Sequence, residues 1–96
     1  MKIRLDISML PPLAEALGKK SVEVDMDGAS VGDLIRHLVG RHGKKAREAL
    51  FDEGGEIDPV IKVIVNDEKF LVREQFDAAG LADGDRVKFM VFVAGG

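Results

Sequence analysis

At 96 residues, 46% hydrophobic and 32% charged, the chain has the composition of one folded domain with a single core. A formal net charge of −3 argues against binding a nucleic-acid backbone, which needs a basic face. No apolar run is long enough to span a membrane, the start carries no signal-peptide pattern, and the absence of cysteine removes disulfides, thiolate metal sites and thiol nucleophiles. The expectation is a cytoplasmic protein with no nucleic-acid or membrane partner.

The opening Lys2-Ile3-Arg4-Leu5-Asp6-Ile7-Ser8-Met9 alternates strictly, with Ile3, Leu5, Ile7 and Met9 on one side. That period of two predicts a half-buried strand. Pro11-Pro12 ends it, and Leu13 to Leu17 allows a short turn of helix before Gly18. Ser21 to Met26 alternates again, so an opening antiparallel hairpin with a wide loop is expected. Ser30 reads as a helix N-cap, with Asp33 three residues on as an acidic capping-box partner. Val31, Leu34, Ile35, Leu38 and Val39 then form an amphipathic stripe, which predicts the main helix, with Gly43 as its C-cap. Lys44 to Phe51 adds a shorter helical stretch. The β-branched run Val60-Ile61-Lys62-Val63-Ile64-Val65 predicts a strand buried on both faces. Asn66-Asp67 turns the chain into a short partner strand at Lys69 to Val72. Glu74 to Leu81 is irregular or one helical turn, and Asp83-Gly84-Asp85 turns the chain into a last apolar strand, Arg86 to Ala94.

Strand, strand, main helix, strand, short strand, strand is the order of an α+β, β-grasp (ubiquitin-like) fold. One main helix packs on one face of a mixed four- to five-stranded sheet, with the two terminal strands parallel in its middle. The expected division is a single domain over residues 1–93 and a flexible tail, Ala94-Gly95-Gly96. Glycine has no Cβ and samples both signs of φ, so such an end is slim enough to thread a tight channel. In the last strand Met90 and Phe92 are apolar on the face opposite Val87, Phe89, Val91 and Val93. Such a two-faced strand is either buried on both sides or exposes an apolar patch. One helix covers only one face of a sheet, so a partner-docking patch at Met90 and Phe92 is the favoured expectation.

Candidate catalytic groups are few. His37 and His42, five apart on or near the main helix, share no face and have no converging partners for metal or base chemistry. Asp52, Glu53, Glu56 and Asp58 lack the alternating spacing of a calcium loop and read as a solvated turn. Gly54-Gly55 has neither the strand-to-helix context nor the lysine of a phosphate cradle. No catalytic or metal-binding residue is therefore expected.

Ser30-Val31-x-x-Leu34-Ile35, Val63-x-Val65-Asn66, Leu81-x-Asp83-Gly84-Asp85-x-Val87 and the closing Ala94-Gly95-Gly96 together resemble the MoaD/ThiS group of ubiquitin-like sulfur carriers. The loop around Asp52 to Asp58 looks most like the longer MoaD-like branch. Val91-Phe92 stands where MoaD-type members carry proline before the tail. The resemblance implies a non-catalytic carrier whose Gly96 is adenylated by a ubiquitin-activating-like enzyme of the MoeB/ThiF type, which uses ATP. A sulfur donor would then convert Gly96 to a thiocarboxylate. Molybdopterin (molybdenum or tungsten cofactor) biosynthesis is the leading pathway, with the large subunit of molybdopterin synthase (MoaE type) as partner. Cysteine, thiamine or tRNA thiolation, and conjugation of Gly96 to lysines as a protein modifier, are the alternatives. No tightly bound cofactor is implied.

Overall fold

The opening alternation becomes β1 (Lys2–Met9), paired antiparallel with β2 (Ser21–Asp25). The computed structural model describes residues 1–91. Ile3, Leu5 and Ile7 are buried as expected, but the alternation breaks at its end: Met9 is 43% exposed, and Leu10 turns into the core instead. The cause is local. The Asp6 carboxylate accepts hydrogen bonds from the Ser8 backbone amide at 2.9 Å and the Ser8 hydroxyl at 2.7 Å. The pairing register shifts between Asp6 and Met9, and a shift of one residue exchanges the faces.

Between β1 and β2 runs α1 (Pro11–Leu17), which begins at the prolines rather than after them. A missing N–H costs nothing in the first turn of a helix, so Pro11 and Pro12 start it as readily as they end the strand. The main helix, α2 (Val31–His42), carries the expected capping box. The Ser30 hydroxyl accepts from the Asp33 amide at 3.1 Å, and the Asp33 carboxylate accepts from the Ala29 and Ser30 amides at 3.0 and 3.2 Å. Two further amides of the helix end are met from outside: Val31 donates to the Ala79 carbonyl and Gly32 to that of Phe76, both at 3.0 Å. The segment from Phe76 to Leu81 thus covers the helix start, with Phe76 fully buried. Helix α3 (Lys44–Leu50) follows Gly43 directly and packs against both α1 and α2.

Strands β3 (Ile61–Val65), β4 (Lys69–Leu71) and β5 (Arg86–Val91) complete a five-stranded mixed sheet in the order β2-β1-β5-β3-β4. A 3₁₀ turn, Arg73–Gln75, follows β4. The terminal strands are parallel neighbours with β5 in the centre, and β5 pairs antiparallel with β3. Val31, Leu34, Ile35 and Leu38 of α2 close over Ile3, Leu5, Val63, Val87 and Phe89 in one core. The expectation that the third strand is buried on both faces is corrected. Ile61, Val63 and Val65 are buried, whereas Lys62 and Ile64 stay partly open, because the helical layer covers only one side.

The helix cap ties stability to pH. Hydrogen bonds from the Ala29 amide, from Arg36 and from Ser30 hold the Asp33 carboxyl below its usual range. A carboxylate with a lowered folded-state pKa stabilises the fold above its unfolded value, and that contribution is lost as pH falls through the folded value. Asp33→Asn should therefore melt at lower temperature than wild type at neutral pH. The gap should close as the pH falls below about 4, the ordinary carboxylate value. Thermal melts of both proteins between neutral and acid pH test this; a gap that stays constant with pH would remove the charge from the explanation.

Candidate functional site

The candidate site is the end of the central strand and the chain that follows it. Its position is set at the opposite end of β5 by residues that look in the sequence like plain turn chemistry. Asp83 Oδ1 accepts from the Lys2 amide at 2.7 Å, and the Gly84 amide donates to the Lys2 carbonyl at 2.7 Å. Gly84 has φ +86°, where a side chain would be strained. Asp85 accepts from the Ala82 amide at 2.8 Å and from Asn66 Nδ2 at 3.0 Å. Asn66 Oδ1 in turn accepts from the Arg86 amide at 2.8 Å, and Asn66 itself sits at φ 54° in the β3–β4 turn. The start of β5 is thus fastened to β1 on one side and to β3 on the other. That fastening sets where Val91, at the far end, delivers the chain.

Of the expected site residues, Phe92, Ala94, Gly95 and Gly96 lie outside the described residues. Met90 lies within them, and the expectation that its side chain is exposed is corrected. It is only 4% exposed and offers no free docking surface. Met90 is on the central strand, opposite Met9 of β1 and Lys62 of β3. Among the described residues, Phe70 is an apolar side chain that does reach solvent on the open sheet face, 48% exposed and paired across β3–β4 with Ile64. Its strand is only three residues long, too short for periodicity to say which of Phe70 and Leu71 faces outward.

The rest of the open face is charged. A shallow hollow of about 240 Å³ is bordered by Arg4, Asp6, Ile64, Asp67, Arg86 and Lys88. Two of its charges pair directly, Arg86 with Asp67 at 3.3 Å. Ser8, through its amide and hydroxyl, holds the Asp6 carboxyl below the usual range, with a smaller contribution from Lys88. His37 and His42 border a shallow surface with Gly40 and Arg41. Asp52 Oδ1 accepts from the Gly54 and Glu56 amides at 2.9 and 3.1 Å, so this acidic loop is a hydrogen-bonded turn. Among the described residues no group of three His, Asp or Glu side chains is placed to hold a metal ion, and no helix is long and apolar enough to cross a membrane.

The ThiS family pattern matches residues 9–96. This chain belongs to the ThiS family. Small archaeal modifier protein 1 of Haloferax volcanii is 33% identical over 93 residues, spanning 96% of this chain and all of that protein. Its crystal structure superposes with a TM-score of 0.76 over the full length of both chains, at 30% identity. The crystal structure of the Amycolatopsis orientalis BexX/CysO complex contains a chain with a TM-score of 0.69 and 29% identity, over 98% of this chain and 99% of that one. A putative molybdopterin converting factor subunit 1 from Pyrococcus furiosus gives 0.68 and 25%, over 97% and 99%. The β-grasp fold and the membership in the family of sulfur carriers and ubiquitin-like modifiers follow from these matches.

Proposed function

We propose that this protein is a sulfur carrier that works through the α-carboxylate of Gly96, as the small subunit of a molybdopterin synthase. The observation that carries the reading is that the ThiS-family match runs through Gly95-Gly96 and not only across the folded body. The resemblance of the whole chain to a putative molybdopterin converting factor subunit supports the choice of pathway. A terminal carboxylate is ionised at neutral pH, with a pKa of about 3.5, and is a poor electrophile. Activation supplies the leaving group. In an adenylating partner of the MoeB/ThiF type, a carboxylate oxygen attacks the α-phosphorus of ATP and pyrophosphate leaves, giving an acyl adenylate on Gly96. A hydrosulfide ion from a sulfur donor then attacks the carbonyl carbon and AMP departs, and loss of the sulfur-bound proton leaves a thiocarboxylate. A MoaE-type large subunit would receive the sulfur. The chain itself contributes no catalytic side chain; it supplies a rigid body, a slim tail and a reactive end.

A second reading is favoured by one observation, that the 33%-identical relative is known as a modifier protein. The same acyl adenylate would there be passed to lysine amines. Intact-mass measurement of the protein from its own cells separates the two. An increase equal to one oxygen exchanged for sulfur, mapped to Gly96, is the expected result. Higher-mass species joined through Gly96 to lysines would make it a modifier, and unaltered protein under every growth condition would overturn both.

A further inference from the structure

Beside the end of β5 an apolar groove of about 560 Å³ opens, walled by Met9, Pro12, Ala49, Val60 and Val91. Two of the three large apolar side chains exposed among the described residues, Met9 and Val60, lie on it. Both are held outward by specific bonds. The Asp6–Ser8 contacts and the register shift turn Met9 away from the core. The loop before β3 is fixed by Asp58, whose Oδ1 accepts from the Val60 amide at 3.0 Å, and by Lys62, which donates to the Pro59 carbonyl at 2.8 Å. The charged residues that line the groove, Glu48 and Asp58, are both acidic.

We infer that this groove is the docking site for the adenylating enzyme, taking an apolar side chain of that enzyme flanked by lysine or arginine. The inference rests on the proposed activation of Gly96. Five residues, 92–96, separate Val91 from the reacting carboxylate, and five extended residues reach at most about 17 Å. An enzyme that holds Gly96 in its active site must therefore bring its surface close to Val91, and the groove begins there. Apolar floor and acidic rim together select an apolar anchor next to a cation, since like charges at a rim suppress wrong partners. Adenylation is also the step that carrier and modifier readings share, so the assignment does not depend on the later acceptor.

The test uses the full chain and a ThiF/MoeB-type adenylating enzyme, with ATP-dependent pyrophosphate exchange as readout. Val60→Lys and Met9→Lys should each raise KM for this protein at least about tenfold while leaving kcat within about twofold, the pattern of lost binding rather than lost chemistry. Glu48→Lys should raise KM and weaken its salt dependence. Circular dichroism and thermal melts would show that all three variants are folded; both apolar positions are already open to solvent. Wild-type protein that is adenylated with the same KM as the variants would overturn the docking assignment alone. Loss of a dimer in Val60→Lys at unchanged KM would also overturn it, giving the groove to a second copy. Wild-type protein that is not adenylated at all would overturn the proposed function and this inference with it.

Discussion

Deletion of Gly96 should lower ATP-dependent loading by more than about a hundredfold without changing the melting temperature. The shortened chain still ends in a glycine carboxylate, now that of Gly95, so the chemistry of the end is unaltered. Its reach changes by one residue, about 3.4 Å. Misplacing a reacting group by about 1 Å already costs on the order of 10²-fold in rate, because activation depends on a near-attack geometry. The fold should not respond, since the buried core is drawn from Ile3 to Phe89 and β5 is fastened at its start by Asp83, Gly84 and Asp85. Pyrophosphate exchange and intact mass measure loading, and a thermal melt measures the fold. A truncated protein that loads like wild type would remove Gly96 from the mechanism; one that melts early would make the end structural.

Much of this architecture was legible along the chain, because local pattern and tertiary role agree there. Ser30 with Asp33 marks a helix start by side-chain chemistry that operates within four residues. Ile3, Leu5 and Ile7 show their face by alternation. The misreadings fall where a distant partner decides. Met9 continues the alternation in sequence, yet the Asp6–Ser8 bonds break it, and no count of apolar residues contains a hydrogen bond. Met90 reads as the exposed side of a two-faced strand, yet it is only 4% exposed, on the central strand of the sheet. Asp83 and Asp85 read as turn formers, and what they reach, Lys2 and Asn66, lies 81 and 19 residues away. For the candidate site, the chain end beyond β5 is what the sequence points to as the place of function. The groove beside the end of β5 is not legible there, because Met9, Ala49 and Val60 come together only through the packing of α1, α3 and the two strands.

The segment with no periodicity holds the second large effect. Phe76 lies in Glu74 to Leu81, which carries neither a period of two nor one of 3.6. A lone aromatic between Gln75 and Asp77 looks like a loop residue, yet it is fully buried against the core. Its carbonyl also accepts the Gly32 amide at the start of α2, and that of Ala79 accepts Val31. Phe76→Ala should cost about 3–5 kcal/mol, the range for removing a buried phenylalanine and leaving a cavity. Against a total stability of about 5–15 kcal/mol for a domain, that is enough to lower the melting temperature sharply. The loss should also be local. Without the ring to anchor it, the segment no longer holds its carbonyls over the helix end, so the Val31 and Gly32 amides should exchange with solvent faster than the global stability loss alone requires. Amide exchange read residue by residue separates the two contributions. Exchange at Val31 and Gly32 that rises only in step with amides of the central strand, such as Phe89, would mean that Phe76 stabilises the domain through its volume and does not position the helix.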